Sequence, residues 1–356
     1  MNRRKNKIMF SFLRPFLFKL DPEVAHDLAI QALKFKHIPK NYFEVNNEDI
    51  LASKVFNINF NNPIGLAAGF DKSAEVYNSI FKFGFGFVEV GTVTPRKQFG
   101  NPKPRVFRLE KDKALINRLG FNNDGMEIIR ERILKNKPEN ILGINIGPNK
   151  DTDDKIKDYK ECLSSLVNLG SYMTINISSP NTEGLRNLHN KDSLTVLLSE
   201  IRSVVKSKNI KKPLLIKISP DLAEKNISEI IELISKFNIN GLIISNTTDQ
   251  NRSDLLDLKK NEKGGLSGKP LRAISNKLIK TFYREVKGKI PIIGVGGINS
   301  GQDVFDKMSS GASLIQLYTG LVYEGPLVVK KIKSELIEIL YKQKIKKISD
   351  IVGSNT

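Results

Sequence analysis

Eight short apolar runs, separated by longer helical patterns, constrain this chain more than any other feature. They are PIGLAAG (63–69), GFVEVG (86–91), LGINIG (142–147), YMTINI (172–177), LLIKI (214–218), GLIIS (241–245), PIIGVGG (291–297) and SLIQLY (313–318). Each reads as a buried strand, and stretches such as Ile227–Phe237 and Asp303–Met308 carry helical spacing. Eight strands, each followed by a helix or long loop, predict an α/β fold of the (β/α)8 barrel type. A doubly wound sheet would need G-x-G-x-x-G after its first strand, and GLAAGFDK does not supply it.

A barrel collects its functional residues at the C-terminal ends of its strands. Polar side chains recur at those positions: Gly69 to Lys72, Thr92, Asn145, Asn176 with Ser179, Lys217, Ser245 to Thr247, Gly296 with Gly297, and Tyr318 with Thr319. Glycines after the last two strands let backbone approach a ligand, and Tyr318-Thr319-Gly320 opens the last helix with free N–H groups. GGLSGKP (264–270) reads as a further loop of exposed N–H groups. Together these features point to a bound phosphate. Lys72 and Lys217 at strand ends suit either a Schiff-base nucleophile or an electrostatic partner for an anion. Asn117, Asn145, Asn176, Asn181 and Asn246 offer donor and acceptor together, which matches a ring with alternating N–H and C=O groups.

Ser178 and Ser179 lack the G-x-S-x-G elbow of a hydrolase, and His189 reads as a surface loop residue rather than their base. No Cys/His cluster has metal spacing, so no metal is expected. The 356 residues include one cysteine, Cys162, which excludes an internal disulfide framework and fits a reducing compartment. The composition, 40% apolar and 27% charged, is globular. A net charge of +19 invites nucleic acid or anionic lipid as partner, but no RNA-binding motif or aromatic basic stripe is present, and nucleic acid is not expected.

The first twenty residues, MNRRKNKIMFSFLRPFLFKL, combine six cations with no acid and many large apolar side chains. Arg14 and Pro15 break the apolar run, so neither a cleaved signal nor a spanning helix is expected. Two readings remain, a first helix packed on the protein's own core and a segment lying on a membrane surface, and composition favours the second slightly. A second helix should begin at Asp21-Pro22-Glu23, with Val24, Ala25, Leu28, Ala29, Ala32 and Leu33 as one apolar stripe. Residues 1–40 thus form a helical unit, 41–345 the barrel and 346–356 a C-terminal tail, with 41–60 irregular and strand-like near Val55–Phe60.

At this point the motifs GLAAGFDK, EVGTVTPRKQFGNPKPRVFRL, INRLGFNNDG, GINIGPNK, NISSPNTEGLR, ISNTT, GGLSGKPL and IIGVGGI are similar, over nearly the whole chain, to class 2, quinone-dependent dihydroorotate dehydrogenases. The resemblance implies one FMN at the barrel mouth, oxidation of dihydroorotate to orotate in pyrimidine biosynthesis, and a membrane quinone as final acceptor. It implies FMN contacts at Ala68, Gly69, Phe70, Asp71, Lys72, Thr92, Asn145, Asn176, Lys217, Ser245, Gly268, Gly297, Tyr318 and Thr319. The substrate would meet Lys72, Asn117, Arg118, Leu119, Gly120, Phe121, Asn176, Asn181, Asn246 and Thr247. Ser179 would be the catalytic base, with Thr182 and Phe121 shaping a proton path. Class 1 relatives carry cysteine at that position and lack the N-terminal extension. The extension would form a quinone tunnel with His26, Arg105 and Tyr318 at the quinone head. A monomer held peripherally at the cytoplasmic face of the inner membrane is expected. Ser245 stands where threonine is common and Thr319 where serine is common, and both keep the hydroxyl.

The rivals are another flavin barrel acting on a pyrimidine, a Schiff-base lyase using Lys217, and a basic membrane- or RNA-binding scaffold. The missing cysteine at position 179 and the N-terminal extension argue against the first, flavin absorbance of the purified protein would dismiss the second, and the third leaves polar residues at eight strand ends without a role.

Overall fold

The computed structural model describes residues 2–35, 43–45, 48–250 and 252–356. The eight apolar runs form eight parallel strands: β1 Ile64–Leu66, β2 Phe87–Val93, β3 Ile141–Ile146, β4 Tyr172–Asn176, β5 Leu214–Ile218, β6 Gly241–Ile244, β7 Ile292–Val295 and β8 Leu314–Leu317. They pair in sequence order and close, with Gln316 of β8 opposite Gly65 of β1. The expected (β/α)8 barrel is therefore the observed fold. Helices such as Lys155–Leu166, Lys191–Ser207, Glu224–Lys236, Leu271–Glu285, Gly301–Ser309 and Val328–Lys342 cover the outside. Strands buried on both faces must be apolar on both, which explains the near-continuous runs.

Inside the lower barrel, Phe87, Tyr172, Leu215, Ile243, Ile293 and Leu314 pack together with Val55 and Phe60. The last two belong to an antiparallel hairpin, Ser53–Val55 with Ile58–Phe60, that plugs the barrel's floor. The hairpin turns at Phe56 and Asn57, both at positive φ as a tight two-residue turn needs. Large rings fit inside because neighbouring strands carry glycine. A Cβ on Gly65 would lie 2.3 Å from the Phe87 ring, and one on Gly143 2.2 Å from the Tyr172 ring.

One strand differs from the expectation. Gly265–Gly268, expected as part of a loop, is a strand paired antiparallel with Ala114–Asn117, which also pairs with Val106–Leu109. This small sheet brings Ser267 and Gly268 to the barrel mouth. The tail also packs: its turn Ile348–Ile351 buries both isoleucines, and Gly353 N–H donates to the Met308 carbonyl at 3.0 Å.

The N-terminal helices are α1 Asn2–Lys19, which runs through Pro15, and α2 Pro22–Lys34. Asp21 caps α2 by accepting from the N–H groups of Glu23 and Val24. The apolar stripe read on α2 is split: Ile30 and Leu33 are buried, whereas Val24 and Leu28 are exposed. Phe12 and Phe16 of α1 are 69% and 60% exposed. Arg108 fastens this unit to the small sheet by donating to the carbonyls of Phe18 and Leu20 and lying over the Phe18 ring. The boundary placed at residue 40 lies outside the described residues.

The glycine–ring fit is testable. Gly65→Ala should destabilise the protein by about 1–3 kcal/mol, the usual cost of overpacking a filled core. Urea denaturation of the variant against the parent protein measures it, and equal midpoints would contradict the fit.

Candidate active site

A cavity opens at the C-terminal rim of the barrel, walled by the loops after the strands and roofed by the small sheet. It gathers residues from far apart in sequence: Ala68, Gly69 and Lys72 after β1, Thr92 on β2, Asn176 and Ser179 at β4, and Lys217 on β5. Ser245, Asn246 and Thr247 follow β6, Gly297 follows β7, and Tyr318 and Thr319 follow β8. Asn117, Leu119, Gly120, Phe121, Asn181 and Gly268 complete the expected set in its wall.

Four expected residues do not line it. Asn145 lies inside β3, fully buried, where Thr92 Oγ1 donates to its Oδ1 at 2.7 Å. It therefore supports the wall from below rather than sitting at the rim. Asp71 turns inward, accepting the N–H groups of Glu75 at 2.7 Å and Val76 at 2.9 Å, and so shapes the loop that carries Lys72. Burial pushes its carboxyl up to about 6. Phe70 faces a second cavity instead. Arg118 turns away to pair with Glu262 at 2.8 Å and to stack over Phe107. Thr182 is buried and does not line the cavity either.

The electrostatics come from the two lysines. Burial lowers Lys72 to about 8, and burial lowers Lys217 against the opposing pull of Glu89. Among the described residues neither ammonium has a hydrogen-bond or ion-pair partner. Lys217 is buried and Lys72 half-buried, and a desolvated cation without a partner calls for an anion. The Thr247 hydroxyl is a buried polar atom without a partner on the same wall. At Gly69, with φ +108°, an added Cβ would meet nothing closer than the Tyr318 ring at 3.7 Å, so the space there belongs to the cavity. Gly296 and Gly297, both at positive φ, line the cavity with Thr319, where glycine lets the backbone come close to a ligand. Cations, glycine backbone and carboxamides in one slot fit a flat anionic ring system bearing a phosphate.

Ser179 sits in this wall, 5% exposed, with its Oγ accepting the Asn181 N–H at 3.2 Å. Sequence reasoning missed what holds it. Arg186 donates to the carbonyls of Ser178 at 3.3 Å and Thr247 at 3.1 Å, and pairs with Asp221 and Asp249, each at 3.1 Å. One guanidinium thus ties the Ser179 loop to the loops after β5 and β6. A cation five residues beyond the Pro180-Asn181 turn was the available signal.

His189 is a correction: it is buried, not a surface residue. Its Nδ1 contacts the Arg186 carbonyl at 2.9 Å and its Nε2 accepts the Ser219 N–H at 3.3 Å. Those partners require the neutral ring with the proton on Nδ1.

The second cavity lies between α2 and the barrel, lined by His26, Phe70, Arg105 and Tyr318 among others. Lys72, Val106, Leu119, Asn122 and Tyr318 line both cavities, so the two share a wall. His26 meets Phe70 edge to face at 5.1 Å, and Phe70 meets Tyr318 at 5.9 Å. Burial and then Lys72 lower His26 to about 3, so its ring is neutral. Arg105 pairs with Glu23 of α2 at 2.9 Å.

With this geometry in view, the comparisons are consistent. The chain matches the family described as Dihydroorotate dehydrogenase over residues 50–340. It is 43% identical to a Dihydroorotate dehydrogenase (quinone) from Rhodospirillum rubrum, covering 96% of this chain and 93% of that protein. It is 45% identical to one from Bartonella tribocorum, covering 96% and 95%. A crystal structure of DHODH from Eimeria tenella in complex with ferulenol superposes with a TM-score of 0.90 at 37% identity, covering 94% of this chain and 96% of that one. The chain belongs to the dihydroorotate dehydrogenase family.

His189 makes a pH prediction. Burial lowers its pKa from 6.5 to about 4, so between these values the unfolded chain binds more protons and stability rises with pH. The contribution, about 3 kcal/mol by linkage, is full above pH 6.5 and is lost as the pH falls through 4. His189→Gln should therefore show a shallower loss of stability than the parent protein across that window. Parallel stability–pH curves would contradict it.

Proposed function

We propose that this chain oxidises dihydroorotate to orotate in pyrimidine biosynthesis, with FMN in the rim cavity and a membrane quinone as final acceptor. The observation that carries it is the slot itself: two lysines without a hydrogen-bond or ion-pair partner, Lys217 buried and Lys72 half-buried, with Ser179 and a set of carboxamides. Family membership supports the same substrate and acceptor.

The FMN ring would rest on Ala68, Gly69, Thr92, Asn176, Lys217 and Ser245, with Asn145 beneath, and its phosphate on Gly268, Gly297, Tyr318 and Thr319. FMN supplies a hydride acceptor that holds an electron pair until quinone collects it. Lys72, Asn117, Asn176, Asn181, Asn246 and Thr247 would orient the substrate, with Leu119, Gly120 and Phe121 closing over it. Ser179 takes the proton from C5 as hydride leaves C6, while its own hydroxyl proton passes to solvent. Serine is a weak base, so its loop must hold Oγ in place, which is the work of Arg186.

The quinone would enter the second cavity, where His26, Arg105 and Tyr318 face the head group and Phe70 lies beside Lys72. No helix among the described residues is long and apolar enough to cross a membrane. The exposed Phe12 and Phe16 with the basic N-terminus suit attachment to one leaflet, which we place at the cytoplasmic face. We divide the chain into a tunnel segment (1–40), a catalytic barrel (41–345) and a packed tail (346–356), acting as a monomer.

Two experiments test this. The purified protein should be yellow, lose its visible absorbance with dihydroorotate under argon, and regain it with quinone. Ser179→Ala should bind FMN and orotate but bleach at least about a hundredfold more slowly, the usual range for losing a general base. A near-normal rate would sink the serine's role. Deleting residues 1–40 should abolish quinone reduction and vesicle binding while dihydroorotate still bleaches the flavin. Unchanged quinone turnover would remove the tunnel from the mechanism.

A further inference from the structure

Beneath the cavity, inside the barrel, β2 buries a carboxylate completely: Glu89. Asn145 Nδ2 donates to its Oε1 at 2.8 Å. The Tyr172 hydroxyl at 2.9 Å, the Thr174 hydroxyl at 3.2 Å and Gln316 Nε2 at 2.9 Å all donate to its Oε2. Four donors on two oxygens make Glu89 an acceptor only.

That restriction sets the direction of each group above it. A carboxamide can turn over with almost no change in shape, so something must choose its orientation. Asn145 has to turn its NH2 towards Glu89, which leaves its Oδ1 to accept the Thr92 hydroxyl at 2.7 Å. Thr92, with its proton committed, accepts from Asn176 Nδ2 at 3.0 Å. Asn176 Oδ1 then accepts both the N–H of Ser178 at 3.1 Å and its hydroxyl at 2.6 Å. Ser178 Oγ in turn accepts from Asn246 Nδ2 at 2.8 Å, and Asn246 Oδ1 accepts the Thr247 N–H at 2.7 Å. Asn176 and Asn246 therefore reach the cavity wall with their carbonyls occupied and one N–H each uncommitted.

We propose that Glu89 is a positioning residue: through Asn145, Thr92, Asn176 and Ser178 it sets the direction of one hydrogen-bond chain. The cavity's carboxamides consequently present donors to the carbonyl and carboxylate oxygens of a bound orotate-type ring. Glu89 touches no ligand itself and acts through the chain. Its charge also favours the ammonium form of Lys217 against burial. The ligand named here rests on the function proposed above, whereas the direction of the chain does not.

The test is a reversal and its repair. Glu89→Gln places a donor where only an acceptor fits and sets donor against donor at Asn145. Adding Asn145→Asp supplies a new acceptor-only group one step higher, which can take the introduced amide below and the Thr92 hydroxyl above. Orotate affinity, read from the shift of the flavin absorbance, should fall about tenfold in Glu89→Gln, the usual consequence of a buried polar group left unpaired. The double variant should return to within about threefold of the parent protein, because neighbouring members of one network do not add. Ser178→Ala, which cuts the chain beyond Asn176 and spares the barrel interior, should weaken orotate in the same direction even if Glu89→Gln fails to fold. The melting temperature of the ligand-free protein reads the chain without any ligand, and the double variant should melt above either single one. Unaltered orotate binding in Glu89→Gln or in Ser178→Ala, or a double variant no better than its parts in both readouts, overturns the proposal. A parent protein that binds no orotate at all would instead sink the assigned substrate, leaving the melting series to decide the chain.

Discussion

Closure of the β1–β8 ladder is the constraint from which the site follows. Parallel pairing points every strand's C-terminal end to one rim, and closure leaves no strand edge unpaired. Residues as distant as Gly69 and Thr319 then meet in one wall without any local sequence signal joining them. Closure also fixes what the interior can hold. The lower barrel is filled by rings and branched side chains and stopped by the 53–60 hairpin. Polar side chains on inward positions therefore have only the upper half to occupy, and they either pair with one another or face the cavity.

That division explains how much of the molecule was legible in its sequence. The strands were, because burial on both faces writes a continuous apolar run. The rim residues were, because a polar side chain directly after such a run has few structural reasons to be there. Asn145 was placed at the rim because strand ends blur by a residue or two, yet it lies one inward position below and serves Thr92. The strand 265–268 was hidden because glycine-rich segments read as turns and its partner, Ala114–Asn117, lies about 150 residues away. His189 reads as a surface residue by composition, whereas its neutral ring satisfies one backbone carbonyl and one backbone N–H in the interior. Arg186 and Glu89 were both visible as charges in otherwise apolar or turn-forming contexts, but their partners are three-dimensional. A lone acid in GFVEVG says that something buried must donate to it, not what.

The N-terminal helices show the opposite case, in which composition was more informative than pattern. On α2 the helical stripe suggests a single apolar face, but the fold buries Ile30 and Leu33 and leaves Val24 and Leu28 in solvent. A water-soluble helix pair does not ordinarily leave such side chains, together with Phe12, Leu13 and Phe16, outside. In the proposed function, the greasy surface and the surplus of cations serve one property, affinity for an anionic apolar boundary. The helices are nevertheless not a loose appendage. Arg105 pairs with Glu23, and Arg108 holds the carbonyls at the α1–α2 junction, so the unit is fixed against the same small sheet that roofs the rim cavity.

This attachment decides how two partners of unlike chemistry could use one flavin. A polar, anionic substrate and an apolar quinone cannot share an entrance without one of them crossing hostile surface. In the proposed reaction the two cavities remove that conflict, because Ser179 lines one and His26 of α2 lines the other. Their common wall is formed by Lys72, Val106, Leu119, Asn122 and Tyr318. Lys72 stands in that wall with a pKa near 8, lowered first by burial and held up by Glu23 and Asp27 of α2. The charge that would greet a carboxylate on one side is thus set in part by the helix that lines the other. In the proposed reaction, docking of α2 against the barrel does more than build a tunnel: it tunes the cation on which substrate binding depends.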